Sequence, residues 1–269
     1  MEKLTKDLKE NGAVAHHFAK TLYFCLMDGL CMNPVRHIPN SLTCMNLLSG
    51  SVAVICIFSG MHEAAGYCIV AAAVFDFLDG FAARLLHAYS PIGKELDSLA
   101  DMVSFGLAPS LMMYCLLQNA WGGPQPGTCG WWLSLSALLI AVCSALRLAR
   151  FNIDTRQATS FIGLPTPACA LFIMGLARMT PGSGLWGARL TGSPVWLLVC
   201  TGVFSWLLVS PLSMFSLKFK SWKLRDNRLV YAFLLLSLLL LVTQGTAGFM
   251  PVILLYIALS CIKAVLSQK

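Results

Sequence analysis

Four of the chain's 12 acidic residues, Asp76, Asp79, Asp97 and Asp101, stand as two close pairs in an otherwise apolar stretch. At about 3.6 residues per helical turn, Asp76 and Asp79 share one face of a helix, and Asp97 and Asp101 share a face of the next. The connection around 89–93 is short, so the two helices are antiparallel neighbours and both pairs point into one pocket. Carboxylates inside a membrane are costly and need partners. Only Arg84 and Lys94 lie nearby, so divalent cations are the simplest neutralising groups, and oxygen ligands suit Mg²⁺, Mn²⁺ or Ca²⁺. Gly80 and Ala83 leave the helix surface open beside Asp79, Gly93 does so before Asp97, and Arg84 is placed to hold a phosphate or diphosphate. Metals and an arginine beside a lipid-accessible groove suit transfer of a phosphoryl group between a lipid and a water-soluble partner. A divalent-cation transporter is the alternative from another class. Its acids should track across the membrane, and it has no use for the Gly80, Ala83 and Arg84 niche.

The elements that position these residues follow from composition. The chain has 269 residues, 57% apolar and only 12% charged, with a mean hydropathy of +0.73. Soluble domains average about 45–50% apolar and about 25% charged, so a water-soluble enzyme is excluded. The expectation is an all-α polytopic membrane bundle. Apolar runs near 41–61, 64–85, 96–117, 130–148, 164–179, 195–212, 229–242 and 249–266 give about eight spans of roughly the 20 residues a bilayer requires. None alternates as barrel strands do. With an even number of spans, all but Arg178 and Arg189 of the 19 Lys and Arg fall on the side that holds both termini. Positive loops face the cytoplasm, so both termini and the acidic pocket are expected there.

Three units are expected: an N-terminal cytoplasmic segment (1–37), a catalytic membrane core (38–212) and a basic loop with two further spans (213–269). In the first, Phe18, Leu22, Cys25 and Leu26 form an apolar stripe beside Lys20 and Asp28, which suits an interfacial helix. The basic cluster at 218–228 reads as a topology determinant that can also attract anionic lipid. The net charge of +7 is this asymmetry and not a nucleic-acid footprint. The 11 cysteines contain no C-x-x-C pair and read as small packing residues. His16, His17, His37, His62 and His87 show no ligand spacing.

The pattern Asp76-x2-Asp79-Gly80-x2-Ala83-Arg84-x8-Gly93-x3-Asp97-x3-Asp101 resembles the signature of the CDP-alcohol phosphatidyltransferase family. The resemblance continues through 38–43, 97–109, 145–152 and 163–168. In these stretches, above all Asp-Ser-Leu-Ala-Asp-Met-Val-Ser-Phe-Gly from Asp97, it is closest to members whose acceptor is L-serine. It implies a helical membrane enzyme, typically a homodimer, with a six-helix core to which this chain adds two helices. It implies CDP-diacylglycerol and L-serine as substrates. It also implies Asp76, Asp79 and Asp97 as ligands of a pair of Mg²⁺ or Mn²⁺ ions, with Asp101 contributing to one ion and acting as base. Gly80, Ala83, Arg84 and Gly93 would accommodate the nucleotide and diphosphate. Other acceptors, such as glycerol 3-phosphate, inositol phosphate or choline, stay open.

Two further readings come from position along the chain. Arg147 and Arg150, at i and i+3 near the cytoplasmic end of the fourth span, suit the serine carboxylate or a lipid phosphate, with positive-inside anchoring as the alternative. Asn40 and Thr43 can hold the nucleotide where the first span begins, with helix N-capping by Asn40 or Ser41 as the alternative.

Overall fold

The computed structural model describes residues 37–153, 163–179, 190–212, 214 and 228–266. The expected interfacial helix, the basic cluster at 218–228 apart from Arg228, Arg36, Arg156 and Arg189 lie outside them. The described residues are helical throughout, with no strand. Eight principal helices correspond to the eight apolar runs. They are α1 (His37–Phe58), α2 (His62–Leu85), α3 (Pro91–Ala120) and α4 (Cys129–Ile153), α5 (Thr166–Arg178), α6 (Pro194–Val209), α7 (Arg228–Gln244) and α8 (Phe249–Leu266).

Four helical stretches are long and apolar enough to cross a membrane: α1, α3, α4 and the continuous Val230–Ile262 run. That last run is folded in two. Gly245 takes a φ of +58° and opens a 3-10 turn to Gly248, which brings Phe233 of α7 to 6.2 Å from Tyr256 of α8. The α5 helix has only 13 residues, too few for a bilayer of about 30 Å, and it is the centre of the bundle. Cys169, Ala170 and every residue from Phe172 to Ala177 are buried. Around it the surface is apolar: Ile55, Val142, Val203, Leu235 and Val242 are all exposed. A soluble monomer rarely exposes so much contiguous apolar surface; a helix bundle in lipid must. The chain is an integral membrane protein of polytopic helical type.

Close approach of the helices relies on small residues. The buried side of α1 carries Pro39, Thr43, Asn46, Gly50, Ala53 and Ile57, a three-four spacing that keeps one face inward. A Cβ on Gly50 would lie 2.7 Å from the Ser104 Cα, and one on Gly66 of α2 would lie 3.0 Å from Met174 Cγ of α5. At one end of the bundle, Glu63 of α2 pairs with Arg178 of α5 at 2.9 Å, and Arg178 Nε donates to Thr246 Oγ1 at 3.1 Å. At the other end, the start of α5 is tied to the end of α6, where Gly163 N and Leu164 N donate to the Leu212 and Leu207 carbonyls at 2.8 and 3.0 Å. This second end holds the acidic residues.

Candidate active site

On α2 the acids continue the stripe that packs inward. Ala65, Ile69, Ala72 and Asp79 are buried on one side, and Asp76 falls in the same three-four register. The preceding alanines let α1 and α2 lie close together, so the Asp79 carboxylate emerges directly beside Thr43 of α1.

The α3 helix starts earlier than its hydrophobic run. Ser90, in extended conformation, caps it by accepting from Gly93 N at 2.9 Å, and Pro91 occupies the first turn. Pro lacks the N–H that this turn leaves unpaired. A Cβ on Gly93 would meet Asn40 Oδ1 and Ser90 Oγ, both at 2.8 Å, so the glycine lets α1 and the α3 cap touch. The regular part of α3 ends at Asp101 and is followed by a π-helical turn, Met102–Leu107. Pro109 accounts for it: its ring cannot sit over the Phe105 carbonyl in a regular turn, so the helix widens ahead of it. The wide turn buries Ser104, Phe105 and Gly106 together, and Ser104 Oγ donates to the Asn46 carbonyl at 3.0 Å.

Asp76, Asp97 and Asp101 converge. Each offers an oxygen within 4.8 Å of the others'. Asp79 is the fourth acid, but its carboxylate turns aside to accept from Thr43 Oγ1 at 2.6 Å, while still interacting electrostatically with Asp76 and Asp97. Asn46 Nδ2 donates to Asp101 Oδ1 at 3.1 Å. Asp97 Oδ1 is buried without a hydrogen-bond partner. A buried, orphaned carboxylate oxygen among three converging acids fits a divalent cation, whose preferred ligands are oxygens.

Beside the cluster opens a cavity of about 330 Å³. Asn40, Thr43, Asp79, Gly80, Ala83, Arg84, Gly93 and Asp97 all line it, which gathers eight of the residues singled out in the sequence. No atom lies within 4 Å of where a Gly80 Cβ would be, so that side of α2 is open to a ligand. Asp97 belongs both to the cavity and to the three-acid cluster; Asp76 and Asp101 stand behind it. Asn40 and Ser41 are already helical, and Ser41 Oγ donates to the His37 carbonyl at 2.9 Å. N-capping by either is therefore overturned, because the helix begins before them.

The two arginines of α4 separate. Arg147 interacts electrostatically with Asp101, and its Nε is buried without a hydrogen-bond partner. Arg150 is exposed and donates to the Val209 carbonyl at 3.3 Å, tying α4 to the end of α6. Neither lines the cavity. Several residues of the site carried no signal in the sequence. Asn46 reaches Asp101 only because α1 crosses α3. Lys94 Nζ donates to the Asn152 carbonyl at 2.9 Å, and Asn152 Nδ2 donates to Ser98 Oγ at 2.9 Å, so the mouth is braced from α4. Tyr89 and Phe151 line the same cavity; for Ser90-Pro91 the missed signal is local, a serine before a proline at a helix start.

A model of the CDP-alcohol phosphatidyltransferase family matches residues 36–209, which include every residue of the cluster and cavity. Curated relatives named CDP-diacylglycerol–serine O-phosphatidyltransferase are similar to the chain. The one from Mycobacterium bovis is 37% identical over 188 residues, covering 66% of this chain and 60% of the relative. The one from Helicobacter pylori strain J99 is 39% identical over 145 residues, covering 53% of this chain and 58% of the relative. The one from Bacillus subtilis is 33% identical over 177 residues, covering 65% of this chain and 88% of the relative. The chain thus spans between 52% and 60% of the length of the mycobacterial relatives it matches. The matched region carries the whole acidic motif in the register that the site uses, and the chain belongs to the CDP-alcohol phosphatidyltransferase family.

Proposed function

We propose that this chain transfers the phosphatidyl group of CDP-diacylglycerol to L-serine, giving phosphatidylserine and CMP. The observation that carries the reading is the convergence of Asp76, Asp97 and Asp101 beside a cavity walled by Gly80, Ala83 and Arg84. The serine acceptor is supported by the names of the relatives. Asp76, Asp97 and Asp101, with Asp79 completing the set, would hold a pair of Mg²⁺ or Mn²⁺ ions. Such ions, when bound, would neutralise diphosphate charge and ease the departure of CMP.

The chain's own residues do the rest. Arg84 faces the cavity and holds the diphosphate with its planar fork. Open space at Gly80 and Ala83 admits the nucleotide, with Asn40 and Thr43 on the facing helix. Asp101 takes the proton of the serine hydroxyl, a poor nucleophile until a base removes it. The serine oxygen then forms a bond to the lipid-bearing phosphorus, the bridging P–O bond of the diphosphate breaks, and its electron pair leaves with CMP. Asn46 holds the Asp101 carboxylate by its 3.1 Å hydrogen bond. Arg147, which interacts electrostatically with Asp101, would take the serine carboxylate; Arg150 is engaged elsewhere.

The site lies at the end of the bundle where the sequence concentrates Lys and Arg, so it faces the cytoplasm with both termini. A homodimer belongs to the same proposal, supported by the family resemblance. The transporter alternative loses its main support: among the described residues, the next acid at the far end is Glu63, already paired with Arg178, and no acid lies between. The test is purified protein given CDP-diacylglycerol, Mg²⁺ or Mn²⁺, and in turn L-serine, glycerol 3-phosphate, inositol phosphate and choline. CMP release with L-serine alone is expected. Release with another acceptor in preference would move the substrate, and release with none would remove the activity.

A further inference from the structure

Asn152, at the end of α4, uses both its backbone and its side chain on one stretch of α3. Its carbonyl accepts from Lys94 Nζ at 2.9 Å, and its Nδ2 donates to Ser98 Oγ at 2.9 Å. Ser98 Oγ in turn donates to the Lys94 carbonyl at 3.2 Å. The three bonds close a ring through Lys94, Asn152 and Ser98. The ring fixes the first turns of α3, which carry Gly93 and Asp97, and it holds the Lys94 ammonium at the mouth of the site. An ammonium has three N–H donors; among the described residues only the Asn152 carbonyl takes one, which leaves donors for a ligand.

Lys94 also stands on a boundary. Outside the cavity, α3 carries an open, mostly apolar groove of about 430 Å³, lined by Pro91, Ile92, Glu95, Leu96 and Leu99. Lys94 is the one residue that lines both the groove and the cavity. Ile92 is 75% exposed and Leu99 64%, in a bundle whose outer surface meets lipid, so the groove is open to acyl chains. A lysine suits such a place, with its methylene stem on apolar surface and its charge in polar space. Among the described residues the cavity's only other cation is Arg84, which stands on α2 with Gly80 and Ala83. A CDP-linked lipid presents two phosphates in a row: one carries the nucleoside and the other carries diacylglycerol. With the nucleotide in the Gly80 and Ala83 niche beside Arg84, Lys94 is the cation at the end from which the chains must leave.

Resting on the reading under Proposed function, we propose that Lys94 binds the lipid-bearing phosphate of the donor and that Asn152 is the positioning residue that presents it. Arg84 then serves the nucleotide-bearing phosphate. The test is steady-state kinetics of the full-length protein with CMP as product inhibitor, because CMP keeps only the nucleotide-bearing phosphate. A hydrogen bond to a charged group is worth about 10- to 150-fold, and the low end applies to a lysine in an open mouth. Lys94→Gln should raise the CDP-diacylglycerol KM roughly 10-fold, with the serine KM and the CMP inhibition constant each within about twofold of wild type. Lys94→Arg keeps the charge and should recover most of that loss, whereas Arg84→Gln should raise the lipid KM and the CMP inhibition constant together. Asn152→Ala keeps the carbonyl but breaks the bond to Ser98, and should raise the lipid KM less, about 2- to 5-fold. Added to Lys94→Gln it should change nothing further. An unchanged lipid KM in Lys94→Gln, a CMP inhibition constant that rises with it, or additive effects in the double variant would overturn the proposal. If Lys94→Gln extracts poorly, Lys94→Met, which keeps the stem, decides by the same criteria. Wild-type protein that releases no CMP with serine overturns the functional reading itself, a different outcome from an active wild type whose lipid KM ignores Lys94.

Discussion

Asn46→Leu removes the hydrogen bond that aims Asp101 while keeping the volume of the side chain. Asn46 is fully buried, and its amide nitrogen donates to Asp101 Oδ1 at 3.1 Å. Its own Oδ1 is buried without a partner, so leucine also eliminates an unsatisfied acceptor, and the fold should tolerate it. The Ser104 bond goes to the Asn46 backbone carbonyl and survives the change. A hydrogen bond to a charged group contributes about 1.5–3 kcal/mol, or roughly 10- to 150-fold in rate if it is made where the proton moves. The assay is CMP release at saturating CDP-diacylglycerol, L-serine and metal, with extraction yield and thermal denaturation recorded in parallel. Turnover should fall by that factor in a protein that extracts as wild type. Because Asn46 acts through Asp101, Asn46→Leu should add little to the loss already caused by Asp101→Asn. Turnover within twofold of wild type, or fully additive losses, would refute the assignment of Asn46 as the residue that holds the base.

Other perturbations separate the remaining parts of the site. Asp76→Asn removes one of the three converging acids, and the Mg²⁺ or Mn²⁺ concentration for half-activity should rise by at least the roughly 10-fold typical of losing even an outer partner; an unchanged metal titration would contradict the ligand role. Gly93→Ala places a methyl group 2.8 Å from Asn40 Oδ1 and Ser90 Oγ, so melting should show a loss of about 1–3 kcal/mol together with a raised CDP-diacylglycerol KM. A loss of stability without any change in that KM would leave the α1–α3 contact as packing alone. Single cysteines introduced at Gln125 and Asn227 should be labelled from opposite sides of the membrane, Asn227→Cys from the cytoplasm; labelling of both from one side breaks the even-span topology.

The four aspartates were legible because helical spacing is local: i, i+3 and i, i+4 pairs face one way whatever the bundle does. Apolar runs marked each helix for the same reason, yet their ends moved. The third run, read from 96, begins at Pro91 because the Ser90 cap carries a polar turn into the helix. What failed to show was tertiary. Nothing in the neighbourhood of Asn46 announces Asp101, since that contact depends on how α1 crosses α3. Asp79 turning to Thr43 depends likewise on the crossing of α1 and α2. Arg147 and Arg150 look alike in sequence, but one helical turn sends the first toward the acids and the second to the end of α6. The π turn at Met102–Leu107 needed Pro109 to be weighed as a wedge inside a helix rather than as its terminus.

The central claim is that the acidic site moves a phosphatidyl group onto serine with Asp101 as the proton acceptor. The most direct measurement quantifies both products from purified protein, isotope-labelled phosphatidylserine by mass spectrometry and CMP by chromatography, for wild type and Asp101→Asn with a divalent metal and without it. The two products should appear in equal amounts in wild type, depend on the metal, and fall by about 10²- to 10⁴-fold in Asp101→Asn while the variant still folds. Labelled phosphatidylserine formed at near-normal rate by Asp101→Asn, or CMP released without it by wild type, would contradict the account.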